Sequence, residues 1–177
     1  GSVKRAAIYR DDNDLTRNMN MFVISEDSRG KLEISSTALK ENLKTWLNSV
    51  KMVNDSVDIL DATVFNFGIE FDIVGQKNVS TNQVFNAARE ELYRQLTLTV
   101  PEIGEPFQVT EIFRILKDIP EVLDVVNIKI LNRTGASYSV YGVDVDAHLG
   151  TEGRTLHVPQ HVIWELKYES DITGTVR

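Results

Sequence analysis

The segment TVFNFGIEFDIVG, residues 63–75, constrains the fold more than any other part of the chain. A large apolar residue stands at every second position, namely Phe65, Phe67, Ile69, Phe71 and Ile73. Alternation with a period of two is typical of a β-strand that buries one of its faces. The positions between them are mostly polar. We therefore expect a central strand with one face packed on helices and the other face polar.

Two segments have the spacing of amphipathic helices. After a cap at Ser35 or Ser36, apolar residues recur three or four positions apart, namely Leu39, Leu43, Trp46, Leu47 and Val50. This predicts a helix whose apolar face is buried. Ser80 and Gln83 have the spacing of a capping box, which predicts the start of a second helix that runs to about Thr97. Its expected buried stripe is Phe85, Ala88, Leu92 and Leu96.

The stretch GEPFQVTEIFRILKDIPEVLDVVNIKI, residues 104–130, predicts a short helix followed by a strand. Thr110 is the expected cap, and Pro120 ends the helix because proline cannot continue it. The apolar side of the helix is expected to comprise Ile112, Ile115, Leu116 and Ile119. The alternating residues of the strand are Val126, Ile128 and Ile130.

Strands are also expected at residues 3–9 and 19–25, and near the C-terminus at 137–150 and 155–170. In the last of these, the residues expected to face one way are Val162, Trp164, Leu166 and Tyr168. The predicted fold is α+β with an α/β-like alternation. It comprises two small mixed sheet units with helices packed on one face, and extra strands at the C-terminal end. We expect one domain over residues 1–56 and a second over 57–177.

Composition excludes several classes of function. The net charge is −7, with 26 acidic against 19 basic residues, so nucleic acid is not an expected partner. There is no cysteine, which removes disulfides and thiolate chemistry. No apolar run approaches the roughly 20 residues that span a bilayer, so no membrane partner is expected. The opening Gly-Ser indicates an expression scar on a piece of a longer chain.

The sequence offers one candidate metal site. Asp144, Asp146 and His148 alternate, so they would share one face of a strand and could bind a metal ion. The simpler interpretation is a strand that enters a polar loop. Asp12 and Asp14 resemble part of a calcium loop that lacks the required glycine and glutamate. We therefore predict no catalytic, cofactor-binding or metal-binding residue, and keep a metal-dependent enzyme domain as an alternative.

Three segments together resemble a known family: VFNFGIEFDIVG, STNQVFNAAREELYRQL and IPEVLDVVNIKI. They are similar to the baseplate J-like family, and more closely to the C-terminal part of the baseplate wedge protein of T-even-type contractile-tailed phages. ALKENLKTWLNSVKMVNDSVDILDATV and PQHVIWELKYESDITGTV also resemble the wedge protein, so the resemblance covers nearly the whole chain.

The resemblance implies a structural virion protein of the tail baseplate, assembled in the host cytoplasm. Such a protein pairs with itself as a homodimer and with other wedge subunits, and helps to build the ring around the tail hub. The resemblance implies no enzymatic activity and no cofactor.

The candidate interface lies in HVPQHVIWELKYES, residues 157–170. Trp164 and Tyr168 belong to residue types that are enriched at interface centres, and His161 stands in the same segment. Trp164 could instead belong to the core of the domain. A third hypothesis is a small-ligand or peptide-binding domain that uses an exposed sheet edge.

Overall fold

The computed structural model describes residues 2–10, 18–52 and 56–177. It confirms an α+β fold with open mixed sheets. The chain forms two compact units. The first unit comprises residues 1–64, 102–104 and 159–163, and the second comprises 65–101, 105–158 and 164–177. The domain limits at residues 56 and 57 stay a prediction. The segment with Asp12 and Asp14, which resembles part of a calcium loop in sequence, lies outside the described residues.

The first unit is built on a four-stranded sheet. Its elements are β1 (Val3–Arg10), β2 (Asn18–Glu26), β3 (Leu32–Glu33), α1 (Thr37–Val50) and β4 (Ser56–Asp61). β2 pairs antiparallel with β1 and β3, and parallel with β4. A buried cluster packs within this unit and comprises Ile24, Ala62, Ile103 and Ile163. Gly104 has φ of 80°, and a Cβ there would lie 2.7 Å from the Tyr9 hydroxyl, so only glycine fits without a shift.

The first predicted helix exists, but its predicted buried face is wrong. Ser36 caps α1 by accepting a hydrogen bond from the Leu39 N–H at 3.3 Å. No residue of α1 is buried, and Trp46 and Val50 are 60% and 61% exposed. α1 packs mainly against β4, which pairs with β2 alone among the described strands. A single edge strand covers only part of an apolar stripe.

The second unit surrounds β5 (Thr63–Gly75), whose first two residues still belong to the first unit. The other elements are α2 (Thr81–Leu98), β6 (Phe107–Gln108), α3 (Val109–Lys117), β7 (Val122–Asn132), α4 (Val145–His148), β8 (Thr155–Leu156), β9 (Val162–Glu165) and β10 (Ile172–Val176). The first two residues of β9 also belong to the first unit. β5 pairs parallel with β10, antiparallel with β7, and also with β9. β6 and β8 form a separate antiparallel pair.

The alternation of β5 and the stripe of α2 form the core of the second unit. All five predicted β5 residues, Phe65 to Ile73 in steps of two, are at most 1% exposed. Ser80 caps α2 by accepting from the Gln83 N–H at 3.2 Å, as predicted. The buried residues of α2 are Val84, Ala88, Leu92 and Leu96. Phe85 was expected in this stripe but is only half-buried, and its ring lies 5.7 Å from that of Phe71.

The short helix and the strand after it are confirmed with two corrections. α3 begins at Val109, so Thr110 is inside the helix and does not cap it. The four predicted apolar residues of this helix are buried. Val126 is 53% exposed because β7 has a β-bulge there: Asp72 pairs with Asn127 and Ile73 with Val125. A second irregularity of the same kind projects Leu123, which is 55% exposed.

The C-terminal region departs most from the prediction. Residues 137–150 form no strand; their regular element is the single turn of α4. Residues 155–170 form two short strands and not one long one. β10 was missed, and it adds a strand parallel to β5. Within the described residues, no helix has the length and apolar character needed to cross a membrane.

Candidate interface around Trp164

Trp164 lies in β9 and is half-buried within the second unit. Its ring meets the Phe107 ring edge-on at a centroid distance of 4.8 Å, and the Phe67 ring at 6.0 Å. Its indole Nε1–H donates to the carbonyl oxygen of Glu105 at 3.1 Å. Buried tryptophan N–H groups usually find such a partner. Trp164 is therefore held in one orientation by aromatic contacts and a hydrogen bond, with part of the ring left accessible.

A cavity of about 250 Å³ opens beside Trp164. Its lining is mostly apolar and is contributed by α2, α3, β6 and the turn that precedes β6. The apolar lining residues are Leu96, Pro101, Pro106, Phe107, Ile115 and Trp164. Small-molecule pockets usually enclose about 300 to 1,000 Å³. The cavity is therefore of a size to take one side chain of a partner.

Glu105 and Glu111 are the charged residues of this lining. The Nε–H of Arg114 donates to Glu111 Oε2 at 3.1 Å, and Arg114 Nη1 also donates to Asp118 at 2.9 Å. The hydrogen bond from Arg114 holds the pKa of Glu111 below its ordinary value, so this carboxylate stays ionised. The negative charge of Glu111 at the rim of the cavity is thus balanced by Arg114.

Tyr168 lies on a network of polar side chains in the second unit. Its ring meets the Tyr138 ring edge-on at 5.7 Å, and its backbone N–H donates to Asp171 Oδ2 at 3.1 Å. The Tyr138 hydroxyl donates to Asp171 Oδ1 at 2.6 Å, and Arg133 Nε lies 3.6 Å from the same oxygen. Asp171 is 3% exposed, whereas Tyr168 is 37% exposed. The network therefore fixes the backbone while the ring of Tyr168 stays accessible.

The hydrogen bond between Tyr138 and Asp171 changes the acidity of the phenol. It raises the pKa of Tyr138 from 10.0 to about 12, with smaller contributions from burial and from the negative charge of Asp171. The proton is retained because the neutral phenol donates a hydrogen bond to the carboxylate, whereas a phenolate would be repelled by it. Tyr138 is therefore neutral at all physiological pH values.

A buried amide fixes the loop that carries Tyr138. Asn66 is 1% exposed, and its Oδ1 accepts from the Ser139 N–H at 2.8 Å. Its Nδ2 donates to Glu165 Oε2 at 2.8 Å. The same residue thus ties β5, β9 and residues 133–143 to one another. Because its amide is paired on both sides, Asn66 can be buried at little energetic cost.

His161 belongs to the first unit, whereas Trp164 and Tyr168 belong to the second. Its ring lies 5.9 Å from that of Phe22, and its carbonyl oxygen accepts from the Thr63 N–H at 2.8 Å. The three residues of the predicted interface are thus divided between two units. Their role at an interface stays a prediction.

The predicted strand face with Asp144, Asp146 and His148 does not exist. Asp144 caps α4, where its side chain accepts from the Ala147 N–H at 3.2 Å. The His148 ring Nδ1 lies 2.9 Å from the Asp144 carbonyl oxygen. Within the described ranges, no three His, Asp or Glu residues are grouped so that they could hold a metal ion. A short helix with an acidic cap had been interpreted as an alternating strand.

Phe107 and the proline before it were missed by sequence reasoning. Phe107 is 2% exposed and forms the wall on which Trp164 packs. Phe107 lies in β6, a strand of only two residues, so no periodic pattern marked it. Its position in the sequence EPFQ, just before a helix, was the only signal.

No protein-family model matches the chain, and no curated protein matches it. Among solved structures, the fold is similar to a chain in the cryo-EM structure of the anti-feeding prophage baseplate, with a TM-score of 0.58 and 10% sequence identity. The match covers 90% of this chain and 33% of the other. This chain thus spans about one third of the length of its structural neighbour. At this identity, the match shows a shared fold.

Proposed function

We propose that the chain is a structural module of the baseplate of a phage-like contractile particle. The fold match to a baseplate chain carries this proposal, because it extends over 90% of the residues and includes both compact units. The sequence resemblance to baseplate proteins supports it from a separate source, the residue pattern of 64–130. In this role the module is located in the tail baseplate of a virion or virion-like particle and binds other baseplate proteins.

Two finer assignments belong to the same proposal. The module is a wedge subunit that helps to form the ring around the tail hub, and it pairs with a second copy of itself. The self-contact uses the accessible parts of Trp164 and Tyr168. Both rings are held by hydrogen bonds or aromatic contacts of the second unit, so little side-chain entropy is lost when a partner binds them.

The size of the cavity beside Trp164 favours assembly over binding of a small molecule. About 250 Å³ accepts a single protruding side chain. Interfaces commonly anchor such a side chain in a pocket with an aromatic wall. The proposed role involves no catalytic activity and no cofactor, since its requirement is a stiff body with surfaces that other subunits can bind.

The mass of the purified chain tests the self-association. Size-exclusion chromatography with light scattering, run from low to high micromolar concentration, should give a dimer. Tyr168→Ala should shift the equilibrium to monomer, because it removes an exposed ring and leaves the Asp171 network largely in place. Trp164→Phe should weaken the dimer without unfolding, because phenylalanine keeps most of the contact with Phe107.

Val140→Ala is the matched control, since Val140 is an apolar residue of the same unit that is 94% exposed. It should leave the dimer unchanged. Circular dichroism identifies any variant that has lost its fold. A chain that is monomeric at every concentration, or a dimer that is indifferent to both aromatic substitutions, would contradict the self-contact.

A further inference from the structure

His148 and His157 lie opposite each other in a hairpin of the second unit. The hairpin is closed by an antiparallel bridge between Leu149 and Leu156. Beside this bridge, the His157 N–H donates to the His148 carbonyl oxygen at 3.0 Å. This hydrogen bond fixes the register of the two chain segments. The two histidines are therefore neighbours across the hairpin, a relation that their positions in the sequence do not indicate.

The register places both histidine side chains on the solvent side of the hairpin. Side chains alternate between the two faces of such a ribbon, and directly opposed residues share a face. Leu156 is fully buried, so the bridged pair points inwards and the next pair, His148 and His157, points outwards. Both histidines are exposed. The Cβ atoms of opposed residues are about 4.5 to 5.5 Å apart. Two imidazoles at that separation can reach one ion between them.

Gly150 leaves room for the ring of His157. The Gly150 N–H donates to the Thr155 carbonyl oxygen at 2.8 Å, so Gly150 lies on the segment opposite His157. A Cβ at Gly150 would lie 4.0 Å from His157 Nε2. The ring of His157 thus extends across the hairpin towards the segment that carries His148. No side chain at position 150 stands in its way.

A hydrogen bond of His148 prepares its second ring nitrogen as a ligand. Its Nδ1 lies 2.9 Å from the Asp144 carbonyl oxygen. A carbonyl oxygen only accepts hydrogen bonds, so Nδ1 carries the hydrogen. In the neutral imidazole the lone pair is then on Nε2. Histidines that bind metal ions almost always donate their other ring N–H to an oxygen, often that of a backbone carbonyl.

We propose that His148 and His157 form a surface site for one divalent transition-metal ion, such as Zn²⁺, Ni²⁺ or Cu²⁺. These ions bind imidazole nitrogen, whereas Mg²⁺ and Ca²⁺ prefer oxygen ligands. No three His, Asp or Glu side chains of the described residues are grouped to bind a metal ion, so water completes the coordination of this pair. The bound ion ties the end of α4 to the segment after β8 and holds the hairpin closed. The inference goes beyond the proposed assembly role and does not depend on it.

Isothermal titration calorimetry of the whole chain with zinc chloride tests the proposal. The titration is run at about pH 7.5, where most imidazole is neutral. We expect one zinc ion per chain with a dissociation constant in the micromolar range, and no binding of magnesium at the same concentrations. Because the ion binds the folded hairpin, zinc well above its dissociation constant should also raise the melting temperature by a few degrees.

The three histidines of the chain provide the variants and their control. His148→Asn and His157→Asn each remove one ligand. Each should weaken zinc binding at least about tenfold, since even the loss of an outer partner of a metal ligand typically costs about 10- to 100-fold. His161→Asn is the matched control and should leave the zinc affinity unchanged, because His161 belongs to the first unit. Circular dichroism without metal identifies any variant that has lost its fold.

No saturable binding of zinc up to millimolar concentration would overturn the proposal. An unchanged affinity in either single variant, His148→Asn or His157→Asn, would also overturn it, because one histidine would then bind the ion without the other. A stoichiometry of one ion per two chains would place the ion between copies and contradict a site within one hairpin. None of these results bears on the dimer through Trp164 and Tyr168, whose mass is measured without added metal.

Discussion

α1 and α2 are similar in sequence and opposite in environment. Each begins after a serine whose hydroxyl caps the helix, Ser36 in one and Ser80 in the other, and each has apolar residues three or four positions apart. Four side chains of α2 are buried, whereas none of α1 is. An apolar stripe thus predicts that one face of a helix tends to be buried. It does not indicate whether that face is buried by the same chain or by another molecule.

The difference also predicts unequal contributions to stability. Burying one Val or Leu side chain contributes about 1.5 to 3 kcal/mol, so Val84, Leu92 and Leu96 bind α2 firmly to the rest of the second unit. α1 has only half-buried leucines. We expect the amide protons of α1 to exchange by local opening and those of α2 only by wider unfolding.

The largest expected difference in stability is between shortening a leucine in the apolar stripe of α2 and shortening one in the apolar stripe of α1. Leu92→Ala should lower the free energy of unfolding by about 2 to 5 kcal/mol, because Leu92 is fully buried and leaves a cavity. Leu43→Ala should lower it by about 1 kcal/mol or less, since Leu43 is already half in contact with water. Urea denaturation measures both. Equal losses of stability in the two variants would mean that the apolar face of α1 is buried in solution. That result would contradict the difference between α1 and α2.

Alkaline pH should loosen the part of the second unit that contains Tyr138 and Asp171. The pKa of Tyr138 is raised from 10.0 to about 12, so its contribution to stability is complete below pH 10 and is lost as the pH rises through about 12. The loss should be on the order of 1 to 2 kcal/mol, because solvent around this part-buried phenol screens its interaction with Asp171. The measurement is urea denaturation at several pH values, for the parent chain and for Tyr138→Phe. If the free energy of unfolding falls equally steeply with pH in both proteins, Tyr138 is not the group responsible.

Removal of each helix cap should give a smaller and unequal effect. Ser80→Ala should cost about 1 kcal/mol of global stability, because α2 is part of the core. Ser36→Ala should increase amide exchange in α1 and leave the unfolding midpoint nearly unchanged. Hydrogen exchange by mass spectrometry, together with urea denaturation, separates local from global loss. A midpoint shift in Ser36→Ala equal to that in Ser80→Ala would show that α1 is integral to the fold.

The smallest effect on stability is expected for Trp46→Ala. Trp46 is mostly exposed, so its removal should change the free energy of unfolding by no more than about 0.5 kcal/mol. Thermal denaturation followed by circular dichroism measures it. A loss of several kcal/mol would show that Trp46 contributes to the core of the first unit.

The regular spacing of apolar residues correctly predicted β5 and α2. The buried apolar residues of β5 and three of the four expected residues of α2 follow from spacing alone. The expected polar face of β5 is fully exposed only at Glu70, because Asn66 and Gly68 on that face are also buried. Val126 was misplaced because a β-bulge depends on the register of the partner strand, which its own sequence does not contain. Local patterns describe one element at a time.

Other errors of prediction concern α4, β10 and the cavity beside Trp164. Alternating acids in VDVDAHLG suggested a strand, whereas Asp144 is a helix cap. β10 was missed because it is five residues long, contains Gly174, and pairs with β5 about a hundred positions earlier. For the candidate interface, the sequence identified Trp164 but not its cavity, whose walls come from α2, α3 and β6.

The two β-bulges of β7 affect whether copies of the chain can aggregate through the edges of their sheets. Among the described strands, β7 pairs only with β5, so no described strand covers its other edge. A regular edge of that kind recruits further strands and can grow into fibrils. At Leu123 and Val126 the ladder loses its repeat, so an incoming strand cannot keep pairing along the whole edge. Copies of the chain at high local concentration can thus lie side by side without forming a continuous intermolecular β-sheet.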